Sequence, residues 1–321
     1  MRPLRRLLIG LAIGVGIPLA ILVYGWFAPG PATKATAFTV AEGSSVSGVA
    51  ADLDQAGLIA SASRFKVGAR IFGGNDAVQA GEFEIPKGAS ASTILELLQH
   101  GRPIQRLITV TEGMPSIIVA EKLAANSFLT GPTPSIPEGS VLPDSYSFER
   151  GEPRAKVVER MQSAMAKALA EEWKKKTDRS VVKTPAEAII LASIVEKETG
   201  KASERPMVAG VLSNRIRIGM ALGADATTIY PLTKGKPLGR MIRRSELAVI
   251  NGYNTRAMRG LPVGPITNPG RESIAAVLNP AQSDALYYVA DGSGGHVFAR
   301  TLEEHNANVA KWRQYRKEKG I

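Results

Sequence analysis

The stretch ASIVEKETG, Ala192 to Gly200, puts two carboxylates near the end of one helix in unequal surroundings. At about 100° per residue, Val195, Ile194 and Ala188 fall within about 60° of Leu191 and define an apolar stripe. Glu198 falls about 20° from Leu191 and continues that stripe, whereas Glu196 falls about 140° away on the polar side. Desolvation favours the proton-bound form of a carboxyl, and the negative end of a helix dipole works in the same direction. The spacing therefore makes Glu198 a candidate general acid and Glu196 a solvent-facing charge. The alternative for Glu198 is a structural carboxylate paired with an arginine.

Other chemistries find little support. The histidines are His100, His296 and His305, with no HExxH or comparable spacing, so no metal site is expected. No GxSxG elbow is present, and DGSGGH lacks the lysine and following helix of a phosphate loop, so it reads as a hairpin turn. Cysteine is absent, which excludes thiol catalysis and a disulfide framework.

The elements that must position Glu198 are well marked. Thr184, Pro185 and Glu187 supply the N-cap, first-position proline and third-position glutamate of a capping box, and Gly200 closes the helix. Arg205 to Ile218 reads as the next amphipathic helix and carries Asn214 and Arg215. Asp225 opens DATTIY as a helix start and cap, and Pro231 to Pro237 reads as a turn-rich excursion. Gly260 to Gly270, GLPVGPITNPG, has three prolines and three glycines and must be a shaped loop. Leu286 to Ala290 and His296 to Ala299 flank a hairpin turn, and a long helix begins near Leu302.

Upstream, Leu7 to Phe27 is a run of 21 uncharged residues preceded by Arg2, Arg5 and Arg6. It exceeds the about 7 to 15 apolar residues of a signal peptide and predicts a single uncleaved transmembrane helix, N-terminus in the cytoplasm, with the rest extracytoplasmic. Residues 28–36 read as a linker that lets the exterior part stand off the membrane. Strands at Phe38 to Val40 and Gly81 to Ile85 enclose helices at Ser45 to Gln55 and Ser61 to Ile71. A helix capped by Ser90 or Ser92 and a strand at Gln105 to Val110 follow. This strand, helix, helix, strand order resembles the LysM type of glycan-binding module, or is a spacer. The expected fold class is α+β: a transmembrane helix over 7–27, a LysM-like module over 37–111, a connecting region over 112–140 and a catalytic domain over 141–321. With a net charge of +11, the exterior part would favour anionic lipid headgroups or carboxylate-bearing cell wall, and not nucleic acid.

Taken in order, ASIVEKETG, SERPMVAGVLSNRIRIGMAL, DATTIY, YNTR, GLPVGPITNPG and YYVADGSGGHVF closely resemble the endolytic murein transglycosylases of the MltG (YceG-like) family, and the likeness spans the chain. The resemblance implies a cofactor-free lyase of the inner membrane that cuts the β-1,4 bond between N-acetylmuramic acid and N-acetylglucosamine in nascent peptidoglycan, leaving 1,6-anhydro ends. It implies Glu198, the second glutamate of EKET, as the catalytic residue. It also implies peptidoglycan strands as substrate and peptidoglycan synthases as candidate partners. Asn214 and Arg215 become candidates for orienting Glu198 or binding sugar, Asp225 for a helix cap or cleft residue. Tyr253, Asn254, Leu261, Pro262 and Gly264 become candidates for a glycan cleft wall. YNTR carries Arg256 where the family usually has tyrosine, and DATT replaces the more typical DPT. A glycan-binding scaffold without turnover, or an ordinary hydrolase using Asp225 or Glu204 as second carboxylate, are the alternatives.

Overall fold

The computed structural model describes residues 16–17 and 20–320, and it divides into two compact units at Arg106. Most of the apolar run Leu7 to Phe27 lies outside the described residues, among which no helix is long and apolar enough to cross a membrane.

In the first unit, β1 (Thr36–Val40) pairs antiparallel with β2 (Gly81–Ile85), Phe38 opposite Phe83. Alternation sends Phe38, Val40, Phe83 and Ile85 inward. They meet α1 (Val46–Gln55), α2 (Ala62–Phe72) and α3 (Ala91–His100). Ser45, Ser61 and Ser90 cap these helices by accepting from the backbone N–H three residues on, as their sequence positions suggest. The expected linker is instead fastened to the unit: Gly30 N–H donates to the Gly88 carbonyl, Gly88 N–H donates to the Ala32 carbonyl, and Ala32 and Trp26 are buried. A peptide with its polar groups satisfied this way is part of the fold and does not act as a tether.

The second unit begins with β3 (Arg106–Val110), which the sequence grouped with the first module but which pairs with β4 (Asp144–Phe148). Between them lies α4 (Ser116–Ala125), a helix within what reads in sequence as a connecting region. One core, including Val110, Val119, Leu123, Phe148 and Met161, packs between this sheet and α5 (Arg154–Trp173). The same helix extends into the larger core through Met165.

That larger core surrounds α6 (Pro185–Glu198), which packs against α7 (Arg205–Arg217), α8 (Asp225–Thr233) and α10 (Arg271–Leu278), with the short α9 (Arg244–Leu247) in the loop between them. The capping box at Thr184 and Glu187 forms as read. Leu191, Ile194 and Val195 are buried as the stripe predicts, but so are Ile189 and Ser193 on the other side. The loop over 260–270 covers that side: Ser193 Oγ accepts from Ile266 N–H at 3.1 Å. Helix α8 runs through Pro231, where the sequence suggested a turn; the proline falls in the last turn, and Lys234 ends the helix in the left-handed region. The hairpin forms as read from β5 (Tyr287–Ala290) and β6 (His296–Ala299), followed by α11 (Leu302–Lys319).

Asn268 anchors the loop. Fully buried, it accepts from Val141 N–H at 3.0 Å and donates to the Met114 carbonyl and to Ser116 Oγ. Replacing it with alanine strands these buried groups, so Asn268→Ala is expected to lower the unfolding free energy by about 2–4 kcal/mol, read as a reduced urea midpoint.

Candidate active site

Glu198 is the last residue of α6, and its carboxyl sits at the edge of the core with one side facing the β5–β6 hairpin. In that hairpin Tyr288 pairs with Phe298 and Ala290 with His296, so Tyr288 and His296 project from the same face. The Tyr288 hydroxyl donates to Glu198 Oε2 at 2.7 Å. Among the described residues Oε1 has no hydrogen-bond partner.

The hairpin is held by two further side chains. The ring of His296 meets Tyr288 edge-on at 5.4 Å, and its Nδ1 lies 2.8 Å from Glu204 Oε2. Glu204 Oε1 accepts from His296 N–H at 3.1 Å, while Oε2 also accepts from Thr199 Oγ1 at 3.4 Å, tying the end of α6 to the hairpin. Burial raises the Glu204 carboxyl, but the His296 hydrogen bonds outweigh it and hold the group below the usual carboxylate range. From α7, Arg215 donates through Nε to the Leu286 carbonyl at 2.7 Å and through a terminal nitrogen to the Leu222 carbonyl at 2.6 Å. Its guanidinium lies over the Tyr287 and Tyr288 rings.

These surroundings set the proton affinity of Glu198. Burial pushes its carboxyl above the ordinary value; the Tyr288 hydrogen bond pulls it partway back, the charge of Asp225 raises it, and His296 and Arg215 lower it. The Tyr288 hydroxyl is itself pushed well above 10 by burial and by Glu198, so it remains a donor. The arrangement can deliver a proton from Oε1 and then hold the resulting carboxylate through Oε2.

The sequence profile of the YceG-like family matches residues 38–311. The chain belongs to the YceG-like family. A relative from Streptococcus pneumoniae serotype 2 (strain D39), named endolytic murein transglycosylase, is 29% identical over 85% of this chain and 57% of its own length. One of the same name from Bacillus subtilis (strain 168) is 27% identical over 87% of this chain and 85% of its own. Thus the YceG-like chain spans little more than half the length of its pneumococcal relatives. A crystal structure of a YceG-like protein from Listeria monocytogenes shares the fold, with a TM-score of 0.54 at 24% identity, covering 85% of this chain and 98% of that one.

The structure redistributes the roles expected of this YceG-like chain. Glu196 does not face solvent: its side chain is 4% exposed, lies 3.3 Å from Arg205 and accepts from Gly270 N–H at 2.8 Å. The polar side of α6 is covered by the loop and by Arg205, so the helical wheel misplaces it. Arg205 also pairs with Glu112 and Glu272. Asn214 orients the chain after α10, not Glu198: its amide donates to the Ser283 and Ala285 carbonyls. Asn254 is fully buried and donates to the carbonyls of Glu246, Leu247 and Val249, which leaves it nothing to offer a sugar. Asp225 is the first residue of α8 and not its cap, Ala224 holding that position, and it pairs with Arg256. Thr227 bonds Thr255 at 2.8 Å and Thr228 donates to Asn254 at 2.8 Å, so DATT and YNTR meet side chain to side chain. Pro262 is buried, while Tyr253, Leu261 and Gly264 keep some exposure. Tyr253 packs on Tyr230 at 4.8 Å, and a Cβ on Gly264 would lie 3.0 Å from its hydroxyl.

Tyr288 and His296 are the site residues that sequence reasoning missed, and Glu204, weighed there only as a hydrolase's second carboxylate, instead holds the hairpin. The hairpin was legible, and its period of two already placed Tyr288 and His296 on one face.

The two glutamates should separate in stability measurements. Glu196→Gln weakens a buried pair and is expected to cost about 1–3 kcal/mol. Glu198 has a folded-state pKa raised above its unfolded value of 4.5, so its stabilising contribution is present below that value and is lost as pH rises through the folded pKa. Glu198→Gln removes this loss. Urea titrations of variant and parent should nearly coincide under acid conditions, with the variant becoming the more stable toward neutrality.

Proposed function

We propose that this chain is a membrane-anchored endolytic lytic transglycosylase of peptidoglycan, with Glu198 as acid and then base. The observation that carries the reading is a desolvated carboxyl with one oxygen held by Tyr288 and the other without a hydrogen-bond partner among the described residues. The names of the relatives agree with it. Asp225 and Glu204, the other acids near Glu198, are engaged by Arg256 and His296, which favours a mechanism needing one carboxyl over a hydrolase needing two.

In the proposed reaction Glu198 Oε1 protonates the glycosidic oxygen between N-acetylmuramic acid and N-acetylglucosamine as the bond to C1 breaks. The carboxylate so formed removes the proton of the muramoyl C6 hydroxyl, whose oxygen attacks C1 of its own ring. One proton leaves Glu198 and one returns, no water is consumed, and the new end is a 1,6-anhydro sugar. The tethered nucleophile benefits from a large effective molarity. Tyr288 steadies the carboxyl in both states, and Arg215 holds the strand that carries Tyr288. Tyr253, Leu261 and Gly264 form the part of the proposed cleft wall that retains exposure. The first unit, whose strands enclose α1 and α2, serves as a LysM-like glycan-binding module, and the apolar run places the enzyme at the inner membrane, where it terminates strands made by peptidoglycan synthases.

Incubation of the detergent-solubilised chain with uncrosslinked strands, followed by mass spectrometry, tests the reaction. Anhydromuramyl ends made by the parent and not by Glu198→Gln are expected. Reducing ends would indicate hydrolysis, and uncut but bound strands a scaffold. Tyr288→Phe removes a hydrogen bond that lowers the Glu198 pKa, so the basic limb of the pH–rate profile should move to higher pH while kcat falls about 10- to 100-fold.

A further inference from the structure

Helix α2 presents two faces. Phe65, Gly68 and Ala69 are buried, whereas Val67 and Ile71 are 48% and 56% exposed on the outside. The outer face also carries Arg64, Lys66 and Arg70, and the helix contains no acidic residue. Helical residues 20–27 are clamped to it. Trp26 is buried, with its ring 5.6 Å from Phe65 and 6.1 Å from Phe72, over Gly68, where a Cβ would lie 2.1 Å from the indole. Only glycine permits that approach. Phe27 lies 6.0 Å from Phe72, and both Phe27 and Tyr24 are exposed.

The Trp26 clamp keeps α2 about one helix diameter, about 10 Å, from the end of the apolar run. Exposed apolar side chains, aromatic residues beside an apolar run, and cations with no acidic partner among the described residues are individually ordinary. Together along α2 and the segment packed on it they match the headgroup layer of an anionic bilayer, where the apolar groups leave water and the cations meet phosphates. An apolar hollow of about 350 Å³ between residues 20–27 and the unit, lined by Ile21, Leu22, Gly25, Ile59 and Phe65 with Arg64 beside it, suits the end of an acyl chain.

We infer that α2 and the end of the N-terminal helical segment form a bilayer-docking surface that lays the first unit on an anionic membrane. The inference rests on the proposed anchoring and adds that the unit lies on the surface and does not stand off from it. The absence of cysteine makes it directly testable. The full chain is reconstituted into phosphatidylcholine vesicles with or without phosphatidylglycerol, carrying a single environment-sensitive fluorophore at Val67→Cys, Ile71→Cys or, on the exposed side of β2, Glu84→Cys. Vesicle flotation reports anchoring, and quenching by nitroxide-bearing lipids reports docking. Expected are blue-shifted, lipid-quenched labels at positions 67 and 71 but not 84, with phosphatidylglycerol strengthening the effect and the combined Arg64→Glu, Lys66→Glu and Arg70→Glu changes abolishing it. Floating protein whose labels at 67 and 71 remain in water overturns docking and leaves anchoring intact. Protein that fails to float overturns both.

Discussion

Enclosure of α6 on all but a narrow strip of its surface is the constraint to which the second unit answers. A helix that ends in EKE and has little surface left to water must neutralise or expel its charges. Glu196 is neutralised by the Arg205 guanidinium and a backbone N–H of the 260–270 loop. Lys197 stays exposed. Glu198, at the last helical position, has no ion pair among the described residues and takes its hydrogen bond from a phenol. Its raised pKa is thus a by-product of the same packing that makes the helix stable, and the site is built where the core runs out of hydrophobic partners.

The same packing explains what could be read in advance. Helices whose starts carry a side-chain cap, at Ser45, Ser61, Ser90, Thr184 and Thr301, are evident in the sequence because the capping atom is local. Helices α4 and α10 begin after Pro115 and Gly270 without such a bond, and neither was legible. Glu198 was legible because its stripe is the core stripe. Glu196 was not, because what covers it arrives from Arg205 and from residue 270, and no periodicity within α6 encodes that. Tyr288 lay in between: local alternation fixes its face, but only the tertiary fold brings that face to Glu198.

The hairpin is a lever in this arrangement. Glu204 grips both the ring and the amide of His296, Arg215 grips the Leu286 carbonyl, and between these two holds stands Tyr288. Charged side chains therefore act on the site mainly by fixing where a neutral hydroxyl sits, which costs less in a desolvated place than bringing a second charge to Glu198.

The DATT and YNTR blocks, far apart in sequence, form rungs of one ladder in space, Asp225 with Arg256, Thr227 with Thr255 and Thr228 with Asn254. Side chains joined in this way cannot drift independently. A chimera that takes one block from a relative inherits an obligation to take the other.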